Sequence, residues 1–227
     1  MNILAIETSS EACSCALRTA AATFERHELA PRQHTQLLLG MIRDVLRDAA
    51  LTLREVDLFA YGCGPGSFTG VRIAACAVQA MALATQRPVL AISSLAAAAM
   101  RGAGDAVRVI AAFDARLGEV YLGAYSIAAH GVAVAVGDEQ LATPDAVTLP
   151  PGDGWVGVGA GWSAHGDVLT ARMGARLHTV LPQVLPGAAQ IAALAASCPQ
   201  AGVPAASALP AYLRRQVATP RVGLRKT

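Results

Sequence analysis

The chain has 227 residues, of which 54% are hydrophobic and 15% are charged, and its formal net charge is +2. This balance excludes a disordered chain and leaves enough apolar residues for one large domain or two small ones. The small net charge and the 4% aromatic content argue against a nucleic-acid surface built from basic and stacking residues. So little polar surface leads us to expect association with another protein.

The first predicted elements are three strands. Residues 3–7 form a short apolar run, residues 13–18 alternate, and residues 22–29 complete an antiparallel unit. The opening run reaches Glu7 without the basic leader or the long apolar segment of a signal peptide. We therefore expect a cytoplasmic protein that has no membrane partner.

A long helix is predicted over residues 33–50, because apolar residues recur there at helical spacing. Further leucines make the apolar stripe wider than the helix face that would pack against a single core. Gly40 lies inside this helix, where glycine costs about 1 kcal/mol relative to alanine, and close crossing by another helix would make it tolerable.

A strand over residues 56–62, a glycine loop, a helix over residues 68–86 and a strand over residues 89–93 follow. A short helix over residues 95–101 then ends at a Gly-rich segment, which predicts a boundary between residues 1–102 and 103–227.

The pattern restarts in the second half, with two strands joined by a turn at residues 114–118. The strands predicted there cover residues 107–113, 119–126, 132–136 and 155–158, and residues 191–197 are predicted to be part of a helix. Similar element order in both parts predicts two related halves with a cleft between them.

The glycine loop at residues 64–72, which has the sequence GPGSFTGVR, links a strand to a helix. Glycines allow a tight turn and close approach to a ligand, and the first helical turn offers unpaired N–H groups at the positive end of the dipole. The alternative is that Ser67 or Thr69 only caps the helix while the glycines serve the turn. The residues expected at a ligand site are Glu7, Thr8, Gly64, Gly66, Ser67 and Gly70.

The position of the single lysine limits the phosphate-binding and covalent mechanisms that this chain could use. Lys226 is the only lysine in the sequence, and Gly70 is followed by Val71, which excludes a Walker-type phosphate loop. A Schiff-base mechanism would need a buried amine, which a lysine next to the C-terminus is not expected to supply. Backbone groups and carboxylate-held magnesium would have to bind any nucleotide.

Three other polar residues have two interpretations each. Glu7, inside an apolar strand, could orient magnesium or a water, or could bond to backbone. Asp114 is placed for an Asx turn or for a ligand contact. His34, at the start of the first long helix, could cap that helix or meet a partner.

Four segments together resemble the TsaB (YeaZ) family over nearly the whole chain. They are residues 3–10 (ILAIETSS), residues 64–72 (GPGSFTGVR), residues 114–121 (DARLGEVY) and residues 210–214 (PAYLR). The resemblance implies an actin-like ATPase fold of two ribonuclease-H-like halves, with mixed five-stranded sheets and flanking helices.

The resemblance also implies a part in placing threonylcarbamoyl on the adenosine beside the tRNA anticodon, without catalysing the transfer. TsaD, the catalytic relative, would form a heterodimer with this chain, and the ATPase TsaE would join them, so that tRNA is met only through the complex. Whether the isolated chain forms a homodimer is left undecided by the sequence. We expect no resident cofactor, with weak ATP or ADP binding at the complex as the alternative.

The sequence departs from the catalytic relative at the metal site that the resemblance implies. Ser94 and Ala98 stand where that relative carries two histidines, and Glu11-Ala12 stands where it has two acidic residues. An alanine methyl cannot bind a metal and a serine hydroxyl is a poor replacement for imidazole. The sequence therefore predicts no metal site and no catalytic residue.

The two long helices are the predicted partner surface, because their apolar residues are too many for one side each and their alanines permit close approach. The residues assigned to this surface are Leu38, Leu39, Met41, Ile42, Val45, Val71, Ala75 and Val78. The competing hypotheses are an active ATPase or kinase with nucleotide in the cleft, and a glycoprotease-like peptidase, although no serine or cysteine has an identifiable His and acid pairing.

Overall fold

The computed structural model describes residues 1–211 and 213, which form two sheets with helices packed on their faces. The first sheet has the strand order β3-β2-β1-β4-β5, in which β1, β2 and β3 are antiparallel and β1, β4 and β5 are parallel. Its strands are β1 (Ile3–Glu7), β2 (Ala12–Arg18), β3 (Thr23–Leu29), β4 (Leu58–Gly64) and β5 (Val89–Ser93).

Alternation along β1 divides the core between the two faces of this sheet. Leu4 and Ile6 point to a layer made by α1 (His34–Asp48) and α2 (Phe68–Thr85). Ile3 and Ala5 point to the opposite layer, made by α3 (Ser94–Gly102) and α5 (Ala188–Ser197). Both faces of the first sheet are therefore covered, which explains why β1 is buried along its whole length.

The second sheet has the order β11-β10-β6-β7-β8, and β9 pairs with β7 beside β8. Helix α4 (Gly161–Met173) packs on it, and Trp155, Trp162 and Leu169 are buried between them. Its strands are β6 (Arg108–Arg116), β7 (Glu119–Ile127), β8 (Ala133–Ala135), β9 (Gln140–Ala142), β10 (Trp155–Val158) and β11 (Leu177–Leu181).

The chain returns to the first sheet after β11. Helix α5 contacts β1 and β2, and its first free N–H groups are bound by side chains of that sheet. Ala188 N donates to Ser14 Oγ at 2.9 Å and Ala189 N donates to Glu25 Oε1 at 2.9 Å. Further on, Val203 forms an antiparallel bridge with Val89 of β5. The division into residues 1–102 and 103–227 stays a prediction, and the contacts show that residues after 187 help to cover the first sheet.

Most predicted elements are present, with ends that shift by one to three residues. The β9 strand, the β11 strand and α4 were missed. The second sheet has six strands, where the residue pattern predicted four and the resemblance implied five. Helix α4 has no clear apolar stripe and contains Gly166, so its periodicity gives no signal. Gly40 has no atom within 4 Å of an added Cβ among the described residues, so the crossing helix expected there is not part of this chain's fold.

Helix α2 is long and apolar enough to cross a membrane by length and composition alone. In the structure its inner face packs on β4 and β1, with Ala74, Val78 and Ala82 buried against the sheet. The apolar residues on this inner side therefore pack in the core of the fold.

Candidate functional site

A cleft of about 770 Å³ lies between the two sheets. Its walls are the β1–β2 turn, the glycine loop before α2, the hairpin between β6 and β7, and the start of the C-terminal segment. This volume is in the usual range for a small-molecule site. Polar and charged side chains that line it include Ser10, Glu11, Arg32, Ser67, Asp114 and Arg116.

Glu7 lies beneath this cleft at the end of β1 and is fully buried. Its Oε1 accepts a hydrogen bond from Ser9 N at 2.5 Å, and its Oε2 accepts one from Ser94 Oγ at 2.7 Å. Burial raises the pKa of Glu7, while these contacts and the nearby His34 act in the opposite direction. Of the two interpretations of this residue, the structure shows the internal one, in which backbone and Ser94 bind the carboxylate.

Close packing inside the protein explains the glycines around Glu7. A Cβ on Gly62 would stand 1.8 Å from Glu7 Oε2, and one on Gly70 would stand 1.9 Å from the Thr8 carbonyl oxygen. A Cβ on Gly66 would stand 2.5 Å from the Ser9 carbonyl oxygen. The glycine loop is thus closed against the β1–β2 turn, and this contact alone requires residues without a side chain.

Hydrogen bonds fix the same contact between loop and turn. Ser67 N donates to the Ser9 carbonyl oxygen at 2.7 Å, and Thr8 Oγ1 donates to the Gly70 carbonyl oxygen at 2.7 Å. Ser67 Oγ accepts from Gly70 N at 3.3 Å and so caps α2. The capping interpretation of Ser67 is confirmed. The ligand role of Glu7, Thr8, Gly64, Gly66, Ser67 and Gly70 stays a prediction.

The hairpin between β6 and β7 forms the opposite wall. Arg116 N donates to Asp114 Oδ1 at 2.8 Å, which is the Asx turn expected for Asp114. Arg116 Nη1 lies 3.0 Å from Asp114 Oδ2, and His165 Nε2 lies 3.8 Å from Asp114 Oδ1. Next to it, Leu117 has a positive φ of 56° and is 85% exposed at the tip of the hairpin.

Three polar residues that sequence reasoning missed connect the two halves. Glu139 Oε1 accepts hydrogen bonds from Tyr125 OH at 2.6 Å and from Ser93 Oγ. Burial raises the pKa of Tyr125, and the adjacent Glu139 carboxylate adds to that shift. The three residues are far apart along the chain and share no motif, so the sequence carries no signal for this cluster.

The histidine and metal expectations can be compared with the part of the chain that the structure describes. His34 is buried, and its Nε2 lies 3.0 Å from the Ser10 carbonyl oxygen, which is a structural contact between α1 and the β1–β2 turn. Ala98 is buried in α3. Within residues 1–211 and 213, no group of three or more His, Cys, Asp or Glu side chains could hold a metal ion.

The predicted partner surface needs a correction. Seven of its eight residues are buried inside the chain: Leu38, Met41, Ile42, Val45, Ala75 and Val78 pack in the core of the first sheet, and Val71 lies next to the glycine loop. Only Leu39 points outward, with 72% of its surface exposed. The assignment of those seven residues to a partner surface was therefore wrong for this conformation, in which they have no surface to offer.

The topology and the cleft together define a class of protein: two α/β halves of the actin-like, ribonuclease-H-like kind, with a cleft between them. The family model described as TsaD, tRNA N6-adenosine threonylcarbamoyltransferase, matches residues 26–219. The fold class predicted from the sequence is confirmed.

Relatives and solved structures identify the family. The chain is 39% identical to the tRNA threonylcarbamoyladenosine biosynthesis protein TsaB of Escherichia coli K12, over 96% of both chains. It is 38% identical to TsaB of Haemophilus influenzae, over 73% of this chain and 74% of that protein. YeaZ from Pseudomonas aeruginosa has a TM-score of 0.85 and 40% identity, and covers 93% of this chain and 100% of its own. The chain belongs to the TsaB (YeaZ) family.

Proposed function

We propose that this chain is a non-catalytic scaffold in tRNA threonylcarbamoyladenosine biosynthesis, where it binds and supports TsaD together with TsaE. The family names support the pathway, since the relatives are called tRNA threonylcarbamoyladenosine biosynthesis proteins. In this proposal the chain works in the cytoplasm and meets tRNA only through the complex. The observation that carries the scaffold role is an exposed apolar face on α1 and α2.

This face, called the outer helix face below, lies opposite the side of α1 and α2 that packs on the sheet. Leu83 is 75% exposed and Leu39 is 72% exposed. Small side chains at Cys76, Ala80 and Ala84 are also exposed along α2. Exposed apolar surface of this kind marks an interaction site, because a monomer gains nothing from leaving it in water.

A four-helix contact would cover the outer helix face, with α1 and α2 of this chain against two helices of a TsaD partner. The alanines of α2 would allow close approach of the backbones. A second copy of this chain could present the same face to itself in the absence of TsaD, which is the homodimer alternative.

The cleft supports the non-catalytic part of the proposal. Both oxygens of Glu7 are bound internally, and the glycine loop packs against the β1–β2 turn. A group that orients magnesium or a water would need a carboxylate oxygen directed into the cleft. The geometry therefore favours a cleft that keeps the shape of an ATPase site without its working groups.

A nucleotide-dependent enzyme is the second candidate, because the cleft volume suits a nucleotide and the N-terminus of α2 lies at its edge. Titration of the isolated chain with ATP, with and without magnesium, separates the two. Micromolar, magnesium-dependent affinity would favour an enzyme, whereas a scaffold predicts weak binding or none.

The peptidase hypothesis receives little support from the buried thiols. Burial raises the pKa of Cys13 to about 11 and that of Cys63 to about 12. A cysteine nucleophile needs the opposite shift, toward the thiolate at neutral pH.

The scaffold proposal is tested by Leu83→Asp, which places a charge on the outer helix face. Its affinity for TsaD should fall by about a hundredfold, because an unpaired charge would be buried in the interface. Leu117→Asp is the matched control, since Leu117 is equally exposed but lies on the cleft hairpin. Both variants should unfold at the wild-type denaturant concentration.

Unchanged affinity of Leu83→Asp for TsaD would contradict the assignment of this face. In reconstituted tRNA modification with TsaD and TsaE, the reaction should depend on this chain and tolerate Glu7→Ala once the variant is shown to be folded. Loss of modification with a folded Glu7→Ala variant that still binds TsaD would instead favour chemistry in the cleft.

A further inference from the structure

The segment that follows Ser207 runs along the outside of the glycine loop. Ala208 is buried in the core beside α2, and its carbonyl oxygen accepts a hydrogen bond from Gln79 Nε2 at 2.8 Å. The Leu209 carbonyl oxygen accepts one from Tyr61 OH at 2.9 Å. We call residues 208–211 the C-terminal strap.

The third attachment of the C-terminal strap is made by backbone alone. Ala211 N donates to the Cys63 carbonyl oxygen at 2.8 Å, at the end of β4 where the glycine loop begins. A Cβ on Gly64 would stand 3.5 Å from the Ala211 carbonyl oxygen, so the strap lies directly on the loop. Ala211 and Leu213 also line the cleft.

The glycine loop is therefore held from two sides. The β1–β2 turn binds it on the inside through Ser9, and the C-terminal strap binds its first residues on the outside. Three hydrogen bonds attach the C-terminal strap. A segment held by few contacts opens before the core does, because few contacts must break at once.

We propose that the C-terminal strap is a releasable clamp on the glycine loop: while it is attached, it shields the Cys63–Gly64 backbone, and only its release opens this side of the cleft. The inference does not depend on the scaffold role, since it concerns access to the cleft within one chain.

Cys63 is a natural reporter of this access. Cys63 is 9% exposed, and burial raises the pKa of its thiol to about 12 with smaller contributions from Glu139 and Glu7, while the hydrogen bond from the Ala211 backbone acts in the opposite direction. Both the cover and the high pKa suppress reaction with a thiol reagent at neutral pH. Release of the strap should remove the cover and expose the thiol to the reagent.

The experiment uses the full chain with the two exposed cysteines replaced, Cys76→Ser and Cys198→Ser. Ala211→Pro removes the N–H that donates to Cys63, and Ala211→Gly is the matched control because it keeps that N–H. Cys63 should react with a small disulfide reagent about tenfold faster in the proline variant than in the glycine variant. The reason is that a covered thiol reacts through local opening, which the proline variant makes more frequent. Cys13 and Cys15, both buried in the core of the first sheet, should stay unreactive.

Equal Cys63 rates in the proline and glycine variants would overturn the proposal. Should all three buried thiols react in the proline variant, Tyr61→Phe decides, because it removes only the hydroxyl that donates to Leu209. A faster reaction of Cys63 alone in Tyr61→Phe supports the clamp, and a wild-type rate overturns it.

Discussion

The cleft and the outer helix face use the same elements in opposite ways. At the cleft, the polar groups that a ligand site would offer are bound inside the protein, as Glu7 is by Ser9 and Ser94. On the outer helix face, large apolar groups such as Leu39 and Leu83 are left in water. Polar groups bound inside the protein at the cleft, and apolar groups exposed on the two helices, form the pattern on which the scaffold proposal rests.

The largest loss of stability is expected at Gly62, which lies against the buried Glu7 carboxylate. In Gly62→Ala the new methyl group would overlap Glu7 Oε2 and displace a buried carboxylate from its two donors. The free energy of unfolding should fall by about 3 kcal/mol, from overpacking and from lost buried hydrogen bonds. Chemical denaturation measures this loss.

Gly166→Ala on α4 is the control for that experiment, because an added Cβ there has no atom within 4 Å. If Gly62→Ala lost no more stability than Gly166→Ala, the space around Glu7 would be open enough to accept a ligand.

A smaller, pH-dependent effect is expected from Glu7→Gln. Burial raises the pKa of Glu7 above its usual value, so the folded state binds the proton more tightly than the unfolded state. The stability that this group contributes is therefore complete at low pH and is lost as pH rises through the pKa of the folded state. A glutamine fits the same contacts without charge, accepting from Ser9 N and donating to Ser94 Oγ.

Glu7→Gln should accordingly be more stable than the wild type at pH 7, with a difference that narrows toward pH 4. Denaturation curves across that range measure it, and Glu11→Gln at the exposed rim is the control. A glutamine variant that is less stable at every pH would show that the ionised carboxylate contributes to the fold.

The smallest effect concerns the outer helix face. Gly40→Ala should raise the free energy of unfolding by about 1 kcal/mol, because alanine is the better helix former and nothing lies near the added methyl group. A partner helix that crosses α1 at Gly40 would lose affinity in the same variant. Titration with TsaD therefore shows whether the crossing point is there, and unchanged affinity would place it elsewhere on the face.

Sequence reasoning predicted the fold well where apolar periodicity was strong. The strand at Val89–Ser93 and the helix that starts at Phe68 were found with correct or nearly correct ends, since each has an apolar run bounded by turn residues. Helix α4 and the edge strand β11 were missed, because their half-exposed sequences have no clear period.

The site was harder to predict for a physical reason. Periodicity identifies which residues of a helix share a face, but it does not tell whether that face meets the chain's own sheet or another protein. The strongest stripe on α1, which includes Met41, packs on the sheet, and Leu39 is the one residue of the predicted partner surface that is exposed. The glycines of the loop also signal close approach without revealing that the approaching atoms belong to Thr8 and Ser9.

The return of the chain to the first sheet has a consequence for synthesis on the ribosome. One face of that sheet is covered by α5, whose N-terminus is bound by Ser14 and Glu25. Those two side chains are made long before the helix that they bind. The early strands therefore keep part of an apolar face uncovered until residues 188–197 have been synthesised, which makes completion of this core late relative to the synthesis of its strands.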